Sequence, residues 1–193
     1  MLPIILASSS PYRRELLNKL TLPFTCQSPD IDESILDGES PEQLVKRLAL
    51  EKANAVAMDN PDALIIASDQ VAVLDGYVMA KPHTHKNAIE QLKHSSGNTV
   101  RFLTSLCLLN SQTGEYQSAI APYSVEFLPL TSSQIEGYLR KEQPYQCAGS
   151  FKSEGLGITL FKCFNGDDPN SLIGLPLIAL TRMLRNHGID PLS

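Results

Sequence analysis

Apolar and polar positions along this chain alternate between strand-like and helix-like spacing. The opening "PIILA" is a run of β-branched residues and leucine that predicts a core strand. It passes through Ser8, Ser9 and Ser10 into "YRRELLNKL", where Leu16, Leu17 and Leu20 form an apolar helical stripe and Pro11 suits the first turn. "LPFTCQ" predicts a short strand, followed by the acidic connection "DIDES". The clearest helix is "SPEQLVKRLALEKANAVAMD", with start signals at Ser40, Pro41 and Glu42 and a stripe through Leu44, Leu48 and Ala55. "DALIIASDQVAVLDGYVMAKP" predicts a buried strand, a polar turn at residues 68–70 and a second short strand.

A helix in "THKNAIEQLKHSSG" ends at Gly97, and "TVRFLTSLCLLNSQTGEY" resembles a hairpin bending at residues 110–114. "YSVEFLPL" adds a strand. "TSSQIEGYLRKEQP" opens with a helix-cap signature and stops before Pro144. Residues 147–176 are rich in turns, and "PLIALTRMLRNHG" closes the chain as an amphipathic helix. Helices and strands alternate first and hairpins enter later, which predicts an α/β fold with a mixed sheet. No repeat, low-complexity block or proline-rich linker divides the 193 residues, so one domain over 1–193 is expected.

The formal charge of −5 describes a mildly acidic protein and argues against a nucleic-acid coat. The apolar start is too short to span a membrane and lacks a signal peptide's basic beginning, so a cytoplasmic location is expected. Cys26, Cys107, Cys147 and Cys163 are widely spaced, without a CxxC pair, and are expected as buried free thiols. His83, His85, His94 and His187 show no zinc-ligand spacing and are expected to be ordinary polar residues.

Two groups of residues suggest chemistry. Ser8, Ser10, Arg13 and Arg14 lie between a strand and a helix, where hydroxyls, free amides and guanidiniums suit polyphosphate; a serine cap followed by solvent-facing arginines is the alternative. Asp69 follows "ALIIAS", at the expected end of a strand. There it can bind a divalent ion, take a proton from water, or cap a turn. Glu33, Lys52 and Lys81 strengthen the catalytic reading, because carboxylates organise metal and lysines neutralise phosphate, although each alone reads as a surface charge. Asp167, Asp168 and Asn170 suit either metal or a plain turn.

The ordered set "LASSSPYRRELL", "DIDES", "LALEKA", "SDQ", "AKP", "CAGSFKSEGLGITLF" and "NSLIGLP" resembles the Maf nucleotide pyrophosphatase family over essentially the whole chain. The resemblance implies a mixed, curved central sheet with flanking helices and a two-lobed nucleotide cleft, as in inosine-triphosphatase-like folds. It also implies hydrolysis between the α- and β-phosphates of a nucleoside triphosphate. Carried over residue by residue, it makes Ser8, Ser10, Arg13, Arg14, Lys52 and Lys81 phosphate-binding and Asp69 the proton acceptor. A divalent cation, Mg2+ or Mn2+, would be held by Glu33 and Asp69. Asp69 acting only as a metal ligand stays open, as does a homodimer. One departure is Ala80, which stands where many relatives have glycine before Lys81 and Pro82; a methyl group is awkward in a glycine-only conformation.

"SPYRR", "SDQ" and "SFKSEG" look more like the branch of that family acting on 7-methyl-GTP than the branch acting on dTTP and UTP. The specificity positions of that branch fall on Tyr12, Gln70 and Glu154. Methylation makes the guanine base cationic, so an aromatic face at Tyr12 and a carboxylate at Glu154 are chemically apt, with Gln70 reading polar base edges. A dTTP/UTP-selective enzyme and a nucleotide-binding regulatory protein with little or no catalysis are the alternatives. Neither nucleic acid nor membrane is an expected partner.

Overall fold

The computed structural model describes residues 2–193. Its strands are β1 (Ile4–Ala7), β2 (Phe24–Gln27), β3 (Leu64–Leu74), β4 (Tyr77–Met79), β5 (Thr99–Asn110), β6 (Tyr116–Phe127) and β7 (Phe161–Gly166). The helices are α1 (Pro11–Asn18), α2 (Pro41–Ala57), α3 (His85–Ser95), α4 (Ser132–Glu142), α5 (Pro169–Ile173) and α6 (Leu177–Asn186), with 3-10 turns at Ala148–Ser150 and Leu156–Leu160. The strands form one sheet in the order β2-β1-β3-β5-β6-β7, with β4 paired to β3. β1 is parallel to β2 and β3, whereas the β3–β4 and β6–β7 pairs are antiparallel, as a mixed sheet requires.

Two compact units share these strands: Met1–Asp69 with Thr104–Ala121 and Asp168–Ser193, and Gln70–Leu103 with Pro122–Asp167. In the first unit the period-two alternation of the strands sorts side chains to two faces. Ile4, Leu6, Leu64, Ile66, Leu106 and Leu108 pack with Leu16 and Leu17 of α1 and Leu180 and Leu184 of α6. Ile5, Ala7, Ile65, Ala67, Cys107 and Leu109 pack with Ala49, Ala53 and Val56 of α2. Both faces are covered, which is why these strands read as continuous apolar runs. Truncating a fully buried residue such as Leu6 to alanine would cost roughly 2–5 kcal/mol.

The second unit is centred on aromatic rings. Phe151 and Phe161 meet edge-to-face at 4.7 Å between centroids, Phe127 and Phe161 at 5.1 Å, and Phe102 and Phe151 at 5.3 Å. Each such pair adds about 0.5–1.5 kcal/mol beyond its burial. α4 begins at a capping box between Thr131 and Gln134 and is capped after Glu142 by Gln143, which takes the left-handed conformation.

Several expectations need correction. Residues 68–70 are not a turn: β3 runs through them to Leu74, and the reversal comes at Asp75 and Gly76, both with positive φ. "YSVEFLPL" is not a separate strand but continues β6, with Pro122 one residue outside the β7 ladder, where its missing donor is tolerated. The buried stripe of α2 runs through Leu44, Val45, Leu48, Ala49, Lys52, Ala53 and Val56, leaving Ala55 off it. Of the four free cysteines only Cys107 is buried; Cys147 is intermediate, and Cys26 and Cys163 are exposed. Ala80 is not among the residues with positive φ, so its methyl group meets no glycine-only backbone. Among the described residues, no helix is long and apolar enough to cross a membrane.

Candidate active site

The site in the first unit is built by the alternation of β3. Asp69 follows Ile65 and Ala67 on the face covered by α2, and Ser68 follows Leu64 and Ile66 on the face covered by α1 and α6. From α2, Lys52 reaches Asp69 along the buried stripe. Its ammonium stands 2.6 Å from Asp69 Oδ1 and 2.8 Å from Glu33 Oε1. Lys52 and Asp69 are both buried, 5% and 6% exposed, so Lys52 is no surface charge. The Glu33 side chain is 57% exposed, so the pair is open to solvent through Glu33 alone of these three groups.

Ser105, which did not stand out in the sequence, fixes the backbone at this point. Its hydroxyl donates to Val45 O at 2.6 Å and accepts from the Asp69 amide at 3.2 Å. Ser68 donates to the carbonyl oxygens of Ser105 and Gly174, at 2.6 and 3.0 Å. These bonds satisfy polar groups inside the sheet that would otherwise be costly to bury.

The acidic connection bearing Glu33 is tied to α2 by Arg47, also unremarked in the sequence. Its guanidinium meets Glu39 in a two-pronged pair at 2.7 and 2.8 Å, Glu51 at 3.0 Å and the Ser34 carbonyl at 2.8 Å. The hydrogen bond from Arg47 holds the Glu39 carboxyl below its ordinary value.

The serine loop caps α1. The Ser10 hydroxyl accepts from the Arg13 amide at 3.4 Å, and the buried Ser8 hydroxyl accepts from the Ser10 amide at 3.1 Å. Arg13 Nε donates to Gly174 O at 2.8 Å, so one carbonyl holds both Arg13 and Ser68. Burial lowers the Arg13 pKa from its ordinary value, while the charges of Asp69 and Glu33 act in the opposite direction. The loop to Gly174 is set by buried Asp168, whose carboxylate accepts from the amides of Asn170 at 2.9 Å and Ile178 at 2.8 Å. Asp168 therefore caps the starts of α5 and α6.

The structure thus joins Glu33, Lys52 and Asp69 in one ion-paired group, with Arg13 within the electrostatic influence of Asp69 and Glu33. Arg14, on the same helix, is exposed and lines a separate surface hollow of about 550 Å3 with Asn18, Leu22 and Phe24. None of the other predicted site residues lines it. Tyr12 is half-buried on α1.

The remaining predicted residues belong to the second unit. Gln70 is half-buried on β3, and alternation turns its side chain opposite to that of Asp69. Lys81 is exposed after β4. Glu154 is exposed on the turn before Leu156–Leu160, and its carboxylate accepts from the Ser153 hydroxyl at 3.2 Å. His85, expected as an ordinary polar residue, bonds Tyr145 Oη at 2.8 Å and Glu136 Oε2 at 3.0 Å through its ring.

No group of three or more His, Cys, Asp or Glu side chains gathers to hold a metal ion among the described residues. Two carboxylates, Glu33 and Asp69, do share the Lys52 ammonium. Such a donor pair fits a hard divalent ion that completes its shell from phosphate oxygens and water, rather than one enclosed by protein.

The Maf-like protein family model matches residues 3–187. A protein from Methylobacillus flagellatus named 7-methyl-GTP pyrophosphatase is 58% identical over 190 residues, covering 98% of this chain and 99% of its own. One of the same name from Pseudomonas fluorescens is 59% identical over 98% of this chain and 99% of its own. Another, from Nitrosococcus oceani, is 56% identical over 96% of this chain and 93% of its own. Among solved structures, the Staphylococcus aureus Ham1 protein aligns over 96% of this chain and 99% of its own with a TM-score of 0.57 and 15% identity, a likeness of fold alone. From the family match over almost its full length and the close relatives that share that length, this chain belongs to the Maf-like protein family.

Proposed function

We propose that this protein hydrolyses the α–β phosphate linkage of 7-methyl-GTP, releasing 7-methyl-GMP and pyrophosphate, with residues 1–193 acting as one catalytic domain in the cytoplasm. The observation that carries the reading is the 56–59% identity, spread over nearly the whole chain, to proteins named for that activity. The buried Lys52–Asp69 pair supports it, because paired opposite charges on rigid elements are costly to build and suit polyphosphate chemistry.

In this reading the triphosphate enters against the start of α1. Ser8, Ser10 and Arg13 orient its oxygens, Arg14 adds positive potential, and Lys52 and Lys81 neutralise charge that builds as the linkage breaks. Asp69 takes the proton of the attacking water, and the oxygen of that water bonds to the α-phosphorus as pyrophosphate leaves. Glu33 and Asp69 would hold Mg2+ or Mn2+, which when bound supplies Lewis-acid polarisation of the phosphate. Tyr12, Gln70 and Glu154 select the base, with Glu154 complementing the positive charge of 7-methylguanine.

The test is a set of initial rates with 7-methyl-GTP, GTP, dTTP, UTP and CTP, in Mg2+ and Mn2+ separately. The expected result is dominant turnover of 7-methyl-GTP with equal amounts of 7-methyl-GMP and pyrophosphate. Dominant dTTP or UTP turnover would overturn the substrate assignment, and nucleotide binding without turnover in either metal would overturn the reaction.

A further inference from the structure

α4 ends on a carboxylate, Glu142, where the helix dipole disfavours negative charge. Its side chain is nevertheless only 18% exposed and fully engaged by the turn that carries Glu154. Oε2 accepts from the Leu156 amide at 2.8 Å, and Oε1 stands 3.3 Å from Lys152 Nζ. One helical turn earlier, the Tyr138 hydroxyl accepts from the Lys152 amide at 3.1 Å. The two side chains of α4 thus grip both ends of the segment around Glu154.

The glycines of that turn are there for closeness. A Cβ on Gly155 would meet Glu142 Oε2 at 2.8 Å, so a side chain there would push the carboxylate off the turn. A Cβ on Gly157 would meet Lys152 O at 2.2 Å, so the turn closes backbone on backbone. Glu154 is the exposed acidic side chain at the tip of a turn whose two ends are fixed.

We infer that Glu142 is a positioning residue for nucleotide selection: with Tyr138 it clamps residues 152–156 and so holds Glu154 where it discriminates the cationic base. This rests on the proposed role of Glu154 in base selection. A flexible acidic turn would meet the base in many orientations and lose discrimination, whereas a clamped one prepays the ordering cost.

The experiment is steady-state kinetics with 7-methyl-GTP and GTP on wild type, Glu154→Gln, Glu142→Ala, Glu142→Gln and Tyr138→Phe, together with amide exchange at Leu156. Glu154→Gln and Glu142→Ala are both expected to lower the ratio of kcat/KM for 7-methyl-GTP over GTP about tenfold, the size of one lost charge-assisted contact. The loss should lie in a raised KM for 7-methyl-GTP with kcat within about twofold, and the Leu156 amide should lose protection in Glu142→Ala. A lowered ratio in Glu154→Gln with an unchanged one in Glu142→Ala would overturn the clamp alone. An unchanged ratio in Glu154→Gln would overturn the base-reading role, and the clamp's function with it. Should Glu142→Ala not fold, Glu142→Gln and Tyr138→Phe decide: a lower ratio in either supports the clamp, and unchanged ratios in both sink it.

Discussion

The Lys52 ammonium stands 2.6 Å from Asp69 Oδ1, and both groups are buried between α2 and β3. Removing one partner strands the other in the interior. Lys52→Met is expected to lose roughly 3–5 kcal/mol of stability, and Lys52→Met/Asp69→Asn to recover part of it, read by urea unfolding. Additive losses in the double variant would show that the pair is not coupled.

Asp69→Asn alone tests chemistry more than folding, because Glu33 still balances the Lys52 charge at 2.8 Å. An amide keeps the shape and an acceptor oxygen for Lys52 but is a poor proton acceptor. In the proposed reaction kcat should fall about 10²–10⁴-fold while nucleotide binding persists, measured by single-turnover rates and calorimetry. Retained turnover would remove Asp69 from the role of base.

Arg13 and Ser68 share the Gly174 carbonyl, at 2.8 and 3.0 Å. Arg13→Lys loses the fork and the bond from Nε, yet Ser68 keeps the carbonyl satisfied, so the melting temperature should hardly change. KM for the preferred triphosphate should rise about tenfold, the cost of a lost charged hydrogen bond. Unchanged KM would take Arg13 out of the phosphate site.

The anchor between Arg47 and Glu39 sets a pH dependence. The Glu39 carboxyl lies below its ordinary value because Arg47 bonds it, so its contribution is present above the unfolded-state value and disappears as pH falls through the folded one. Wild type should melt above Glu39→Gln at neutral pH, and the two curves should converge in acid. Parallel curves would show that Arg47 gives Glu39 no stabilising role.

Burial pushes the Cys107 thiol up to about 12, and a bond to Glu126 raises that of Cys163. At about pH 8, a maleimide should label exposed Cys26 and Cys163 in the native protein and Cys107 only after denaturation, as mass spectrometry would show. Glu126→Ala should speed labelling of Cys163. Native labelling of Cys107 would contradict its burial.

Most of the elements were readable because their apolar spacing matches the faces that pack. α2 announces itself through Ser40 and its stripe, and α4 through Thr131 and Gln134. The course of β3 was hidden because Ser68, Asp69 and Gln70 resemble a polar turn; partners distant in sequence, Ser105, Gly174 and Lys52, satisfy the first two inside the sheet. β7 was missed because it is an edge strand whose residues after Phe161 are exposed, so it carries no burial alternation. In the site, Glu33, Lys52 and Asp69 were legible as residue types. Their meeting depends on a helix and a strand whose registers no local spacing reveals.

The unbroken course of β3 couples the lifetime of the site to that of the fold. Asp69 has strand on either side of it, and its amide and carboxylate are held by Ser105 of β5 and Lys52 of α2, so no short segment can peel away and carry it off. Opening at Asp69 requires breaking buried contacts to both β5 and α2, and such interior contacts are among the last of a protein to give way. Heat or denaturant should therefore extinguish the chemistry together with the tertiary structure, leaving no folded but silent form.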